Sequence, residues 1–205
     1  MVAVIDYGVG NLFSLCCSLE AIGADSKVTN DPDEIRRADK IILPGVGAFE
    51  DAARKLHESG LDQVVIEEAE KGKPLLGICL GMQMLFEESL EYGSYKGLGI
   101  LKGKIEPLRG FVPKGLKIPQ MGWNKLIIKR DNPLFKYIDD NAYVYFVHSY
   151  YANATDDSVI ATTEYGVEVT AAVSKDNVFG CQFHPEKSGE VGLKILKAFC
   201  EEGEI

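Results

Sequence analysis

With 205 residues, 46% of them hydrophobic and 26% charged, the chain has the length and composition of one globular unit with a sizeable core. Its 22 Lys and Arg stand against 31 Asp and Glu, a net charge of −9 that opposes a nucleic-acid backbone and leaves no surplus for an anionic bilayer. The start, MVAVIDYGVGN, has no basic region ahead of an apolar run, and the longest charge-free apolar stretch, 74–86, falls short of the ~18 residues of a membrane span. A cytoplasmic protein is expected, with its five cysteines reduced.

The first half alternates short apolar runs with helical patterns. Residues 2–6, VAVID, predict a strand; Asn11 then stands as N-cap to a helix whose apolar positions Leu12, Leu15, Cys16, Leu19 and Ile22 recur at helical spacing, with Cys16 in the core and Gly23 as the stop. Residues 26–29 predict a second strand. Asp31-Pro32-Asp33-Glu34 supplies a cap, a first-turn proline and early acids for the next helix. The run 40–45, KIILPG, reads as a strand buried on both faces, 50–69 as helix interrupted near Gly60, 74–79 as another buried strand, and 82–89 as helix again. This alternation predicts an α/β fold, a doubly wound, mostly parallel sheet flanked by helices. From about Tyr92 the runs LKGKIEPL, NKLIIK, AYVYFVHSYYA, SVIATTEY, VEVTAAV and VFGCQF predict antiparallel or mixed strands extending the same sheet, and 190–200 a closing amphipathic helix. With no repeat or linker in view, 1–205 is expected to be a single domain.

The chemistry concentrates at Gly77-Ile78-Cys79-Leu80-Gly81-Met82-Gln83. A strand running into a helix with G-x-C-x-G at the junction is the cysteine form of a nucleophile elbow, a turn so tight that glycine is needed on both sides. At the start of a helix, unpaired N–H groups and the dipole favour a thiolate. The competing reading makes Cys79 a small buried apolar residue. A cysteine nucleophile needs a base from elsewhere in the chain. Of the three histidines, His57 lies among polar residues near a helix end, and His148 alternates with apolar neighbours like an ordinary strand histidine. His184 ends a strand, Pro185 stops further pairing, and Glu186 two positions on can fold back to set the imidazole tautomer. In Leu43-Pro44-Gly45-Val46-Gly47-Ala48, backbone N–H groups of Val46 and Gly47 can turn toward a developing oxyanion, beside the N–H of Leu80. Two glycines allow that loop more than one orientation, so the oxyanion hole need not be formed at rest.

Together, LPGVG, GICLGMQ and FHPEKS resemble the class I glutamine amidotransferases, over essentially the whole chain. The resemblance implies a Cys79-His184-Glu186 triad in which the cysteine attacks the side-chain amide of L-glutamine, releases ammonia and leaves a thioester for water to hydrolyse. It implies no cofactor, and no Cys/His pair has metal-ligand spacing. Gln83 is expected to hold the amino-acid end of the substrate, and Ser149 and Tyr150 its carboxylate. The strings IDYGVGN, PGVGAF, QMGWN, YFVHSY and HPEKS are similar to one branch of that family, the glutaminase subunits of imidazole glycerol phosphate synthase in histidine biosynthesis. That likeness implies a heterodimer with a separate (β/α)8-barrel cyclase subunit that uses the ammonia, with Trp123 at the interface; Asn11 is expected there too, and Lys187 is either a solvated cation or an interface salt-bridge partner. The residues alone leave open a glutaminase serving another synthase, or a cysteine hydrolase or peptidase with the same elbow.

Overall fold

Four-residue apolar runs explain the centre of the molecule. In the computed structural model, which describes residues 1–201, β1 (Val2–Ile5), β3 (Lys40–Leu43), β4 (Leu75–Ile78) and β14 (Val178–Cys181) are buried at every position. Such strands need cover on both faces. With β2 (Ser26–Thr29), β9 (Ile127–Ile128), β12 (Val159–Glu164) and β13 (Glu168–Lys175) they make an eight-stranded sheet in the order β2-β1-β3-β4-β14-β13-β12-β9. The first five are parallel; β13, β12 and β9 run antiparallel.

Alternation along each strand sorts the core into two layers. Ala3, Ile5, Ile41, Leu43 and Leu75 pack under α2 (Pro32–Arg37), α3 (Phe49–Glu58) and α4 (Leu61–Glu70), whereas Val2, Val4, Ile42, Leu76 and Ile78 face α1 (Leu12–Ala21) and α6 (Gly189–Glu201). Asp31 caps α2 through its side chain, and Gly60, at φ 70°, separates α3 from α4 where the break was expected. Asn11 precedes α1 but makes no capping bond from its side chain, and Cys16 is only half-buried, so Leu15 and Leu19 carry that helix's packing.

Two expectations need correction. The helix after Cys79, α5 (Leu80–Met84), ends five residues before Ser89. The carbonyls of Met84, Leu85 and Phe86, which a longer helix would bond internally, accept instead from the N–H groups of Leu98, Leu101 and Gly99. Residues 88–89 then become β5 (Glu88–Ser89), which pairs with β6 (Tyr95–Lys96) and β7 (Gly103–Pro107). Nor do all the later strands extend the main sheet. β7 also pairs with β11 (Tyr150–Ala154) in a four-stranded sheet, while β8 (Gln120–Lys125) and β10 (Tyr143–His148) form a separate antiparallel pair. Period-two alternation tells which face of a strand is buried but not which strand lies beside it. Among the described residues no helix is long and apolar enough to cross a membrane.

Candidate active site

Strand order assembles the site. β4 lies between β3 and β14, all three parallel, with Leu43 paired to Gly77 and Ile78 to Cys181. Their carboxyl ends therefore deliver the PGVG loop, Cys79 and His184 to one edge of the sheet, the crevice where open α/β sheets place their ligands. Cys79 itself occupies φ 54°, a left-handed conformation that a cysteine adopts only under constraint. The flanking glycines have a different reason, close approach. A Cβ on Gly81 would stand 1.9 Å from the Leu43 carbonyl oxygen, and one on Gly77 2.7 Å from backbone atoms of Gly81 and Met82. The elbow is thus wedged against the neighbouring strand.

His184 is buried, and its Nδ1 lies 2.8 Å from Glu186 Oε1. The carboxylate side chain is itself nearly enclosed, its other oxygen unpartnered in a buried position. Burial disfavours the imidazolium, but hydrogen bonding to Cys79 and to Glu186, with the charge of each, outweighs it and lifts the imidazole to about 9. Ser188 braces the turn, its hydroxyl donating to the His184 carbonyl at 2.6 Å and accepting from the Tyr145 N–H at 2.9 Å.

One expected oxyanion donor is already engaged. The Leu80 N–H is committed to the Gly45 carbonyl at 3.3 Å, so the group expected to receive an oxyanion is already bonded to the loop meant to help it. Only Gly47 of that loop has a left-handed torsion, φ 94°, with open space where a Cβ would go; Gly45 is glycine because a Cβ would meet the Gly81 nitrogen at 2.7 Å. Tyr7, buried beneath, donates its hydroxyl to the Pro44 carbonyl at 2.7 Å and anchors the loop's first residue.

A cavity of about 380 Å³ opens beside Cys79. Val46, Gly47, Gln83, Ser149 and Tyr150 line it as expected of a substrate pocket, and Lys187 stands at its wall. Gln83 is already engaged, its Nε2 donating to the Tyr150 carbonyl at 3.1 Å and to Gln182 Oε1 at 2.9 Å. Ser149 sits at the break where the chain leaves β10 for β11, which turns its neighbours toward the pocket. His148 also lines it. Burial holds that imidazole down to about 4, Nδ1 lies 2.8 Å from the Tyr150 carbonyl, and Nε2 has no partner. Three residues of this region escaped sequence reasoning: Tyr7, Gln182 and Glu91. Glu91 contributes the pocket's carboxylate and accepts the Phe49 N–H at 2.7 Å. IDYGVGN hinted at Tyr7, but nothing local marks the other two.

Of the three expected interface residues, Asn11 and Lys187 border this site, and Trp123 adjoins it through Tyr145. Asn11 shares a small crevice with Val46, His184 and Glu186. Trp123 is 52% exposed, edge-on to Tyr145 at 6.0 Å between ring centroids, and the Lys187 ammonium lies 6.0 Å from the same Tyr145 ring. His57, by contrast, is exposed and paired with Asp62, remote in role from the pocket. Among the described residues no cluster of His, Cys, Asp or Glu could hold a metal ion.

Comparison with known proteins follows the same lines. The family model described as glutamine amidotransferase class-I matches residues 3–202. The chain is similar to the imidazole glycerol phosphate synthase subunit HisH of Caldanaerobacter subterraneus subsp. tengcongensis, 55% identical with 98% of each chain covered. Against the subunit of the same name from Wolinella succinogenes it is 47% identical, covering 99% of this chain and 100% of that one. Among solved structures, a glutamine amidotransferase superposes over 100% of both chains at a TM-score of 0.78 and 19% identity. PurLQS from Thermotoga maritima does so at 0.75 and 24%, over 97% of this chain and 96% of that one. These two likenesses concern the fold.

Proposed function

This chain belongs to the class I glutamine amidotransferases, and from that premise we propose that Cys79, His184 and Glu186 carry out its glutamine hydrolysis. It works as the glutaminase subunit of imidazole glycerol phosphate synthase, in histidine biosynthesis, and so with a partner subunit. Membership closes the cysteine-hydrolase reading that the elbow alone leaves open. The observation that carries the residue assignment is the convergence of three parallel strand ends, with the His184–Glu186 contact of 2.8 Å beside the Cys79 thiol.

The steps follow from the geometry. The Cys79 thiolate adds to the carboxamide carbon of glutamine, and the carbonyl π electrons move to oxygen, where Leu80 N–H and an N–H of the Val46-Gly47 segment receive them. His184, held as imidazolium by Glu186, gives its proton to the nitrogen, and the C–N bond breaks to release ammonia. The neutral imidazole then takes a proton from water, whose oxygen attacks the thioester and expels the thiolate with glutamate. Ser149 and Tyr150 hold the substrate carboxylate, and the Gln83 carbonyl oxygen and the Glu91 carboxylate accept from the substrate ammonium group.

The partner in this reading is a (β/α)8-barrel cyclase that docks over Asn11, Trp123 and Lys187 and receives the ammonia, in the cytoplasm, where the thiol stays reduced. Because Leu80 N–H is held by Gly45 in the free chain, docking turns the loop to bring hydrolysis to its full rate. Glutamate release is measured from the free chain, from the complex, and from the complex with cyclase ligand. Slow release that rises sharply on ligand addition is expected. A free chain as fast as the liganded complex removes the gating step, and unaltered release from Cys79→Ala removes the triad.

A further inference from the structure

A second amide lies against the nucleophile. Gln182 is fully buried between Cys181 and Phe183, its main-chain N–H bonded to the Ala171 carbonyl at 2.9 Å, and its side-chain Nε2 lies 3.7 Å from Cys79 Sγ. The polarity of that amide is not free to invert. The Tyr150 carbonyl can only accept, so Gln83 must present Nε2 to it, and the same nitrogen donates to Gln182 Oε1 at 2.9 Å. With its oxygen thus occupied, Gln182 has its NH2 group turned toward the sulfur.

Building on the assignment of Cys79 as nucleophile, we propose that Gln182 is a further catalytic residue, a fixed N–H donor to the Cys79 sulfur whose orientation is set by the Tyr150 carbonyl through Gln83. A donor prefers a charged sulfur to a thiol or a thioester. It therefore raises the thiolate population before attack, and it steadies the sulfur again when water expels it from the thioester. The second effect is the more telling, because charge develops on sulfur in that transition state and leaves it in the first. The relay also starts at Tyr150, in the wall of the pocket, so the residue that meets substrate and the reacting atom share one chain of hydrogen bonds.

Gln182→Met keeps the length and loses the donor; Gln182→Glu keeps the acceptor for Gln83 but offers the sulfur a carboxylate. Both are assayed in the full complex for glutamate release and quenched for intact mass, and as the full-length chain for iodoacetamide alkylation of Cys79 across pH, with thermal unfolding as a check on folding. For Gln182→Met, kcat is expected to fall about tenfold, the scale of one hydrogen bond to a charged group, with glutamyl thioester accumulating and the alkylation profile moved to higher pH. Gln182→Glu is expected to move the profile further in the same direction, which decides the matter even if the Met variant fails to fold. A folded variant with unchanged alkylation profile, unchanged kcat and no thioester overturns the inference. If Cys79→Ala in parallel still releases glutamate, the fault lies in the triad assignment; if it is inactive while Gln182→Met behaves as the parent, only the role of Gln182 fails.

Discussion

Cys79 and His184 are expected to act as a unit. His184→Ala in the complex should lower glutamate release by ~10²–10⁴, and adding Cys79→Ala to it should cost little more, since neither works without the other. Glu186→Gln, keeping the shape but not the charge beside the imidazole, should give a partial loss. His148→Ala should leave the base intact; damage equal to that of His184→Ala would require the histidines to exchange roles. His148 is expected instead to contribute to acid sensitivity. Its folded value, about 4, lies below the 6.5 of an unperturbed histidine, because burial disfavours the charged ring. The unfolded chain therefore binds the extra proton first, so this contribution is whole above pH 6.5 and is lost as pH falls toward 4, on the order of 3 kcal/mol. The raised value of His184 has the opposite sign, stabilising below pH 6.5 and fading as pH rises through 9. Denaturant unfolding between pH 6.5 and 4 for the parent and His148→Gln tests the first statement; the same acid slope in both would refute it.

At the scale of elements, the elbow and the PGVG loop are one device. The Leu43 carbonyl reaches into the space where Gly81 has no side chain, and Gly45 abuts the Gly81 nitrogen. Gly81→Ala should therefore force β3 and α5 apart, at a cost of about 1–3 kcal/mol or more, and blunt hydrolysis by displacing Cys79. Thermal unfolding beside glutamate release checks it, and a variant as stable and active as the parent would show that the strands yield freely. Gly47 differs, since its surroundings are open and only its φ of 94° resists a side chain. Gly47→Ala should cost roughly 1–2 kcal/mol of stability through the left-handed torsion alone, and should alter how strongly the partner stimulates release, because it changes which torsions the loop can visit. Stimulation equal to that of the parent would place the moving torsion elsewhere.

For the whole molecule, the pocket and the exposed cluster around Trp123 lie at the same end, so docking and catalysis can be coupled over a short path. Lys187, next in sequence to Glu186, lines the pocket, and its ammonium lies 6.0 Å from the Tyr145 ring. On the proposed reading, an oxyanion donor held back in the free chain corresponds to ~10²–10³ in rate, enough to keep ammonia from being released without a consumer. Trp123→Ala is expected to weaken association with the cyclase subunit while leaving the slow hydrolysis of the free chain as it was. Analytical ultracentrifugation of the mixed subunits reads the first effect, and unchanged association would move the interface off this face.

What was legible from the sequence is what depends on near neighbours along the chain. Apolar runs such as KIIL and LLGI had to be strands buried on both faces, Asp31-Pro32 had to open a helix, Gly60 had to interrupt one, and His184-Pro185-Glu186 brings imidazole and carboxylate together within a single turn. Tertiary structure alone decided which distant segments meet. The pairing of β14 with β4 puts His184 beside Cys79, and alternation along either strand carries no trace of its partner. The early end of α5 follows from carbonyls claimed by residues 98–101, and the departure of β8, β10, β7 and β11 from the main sheet follows from pairings no local pattern encodes. The same holds for the Leu80 N–H bonded to Gly45 and for Gln182 aimed at the sulfur. A hydrogen bond or a close contact across the fold depends on backbone positions set by the whole core, whereas residue types reveal only which groups are capable of making it.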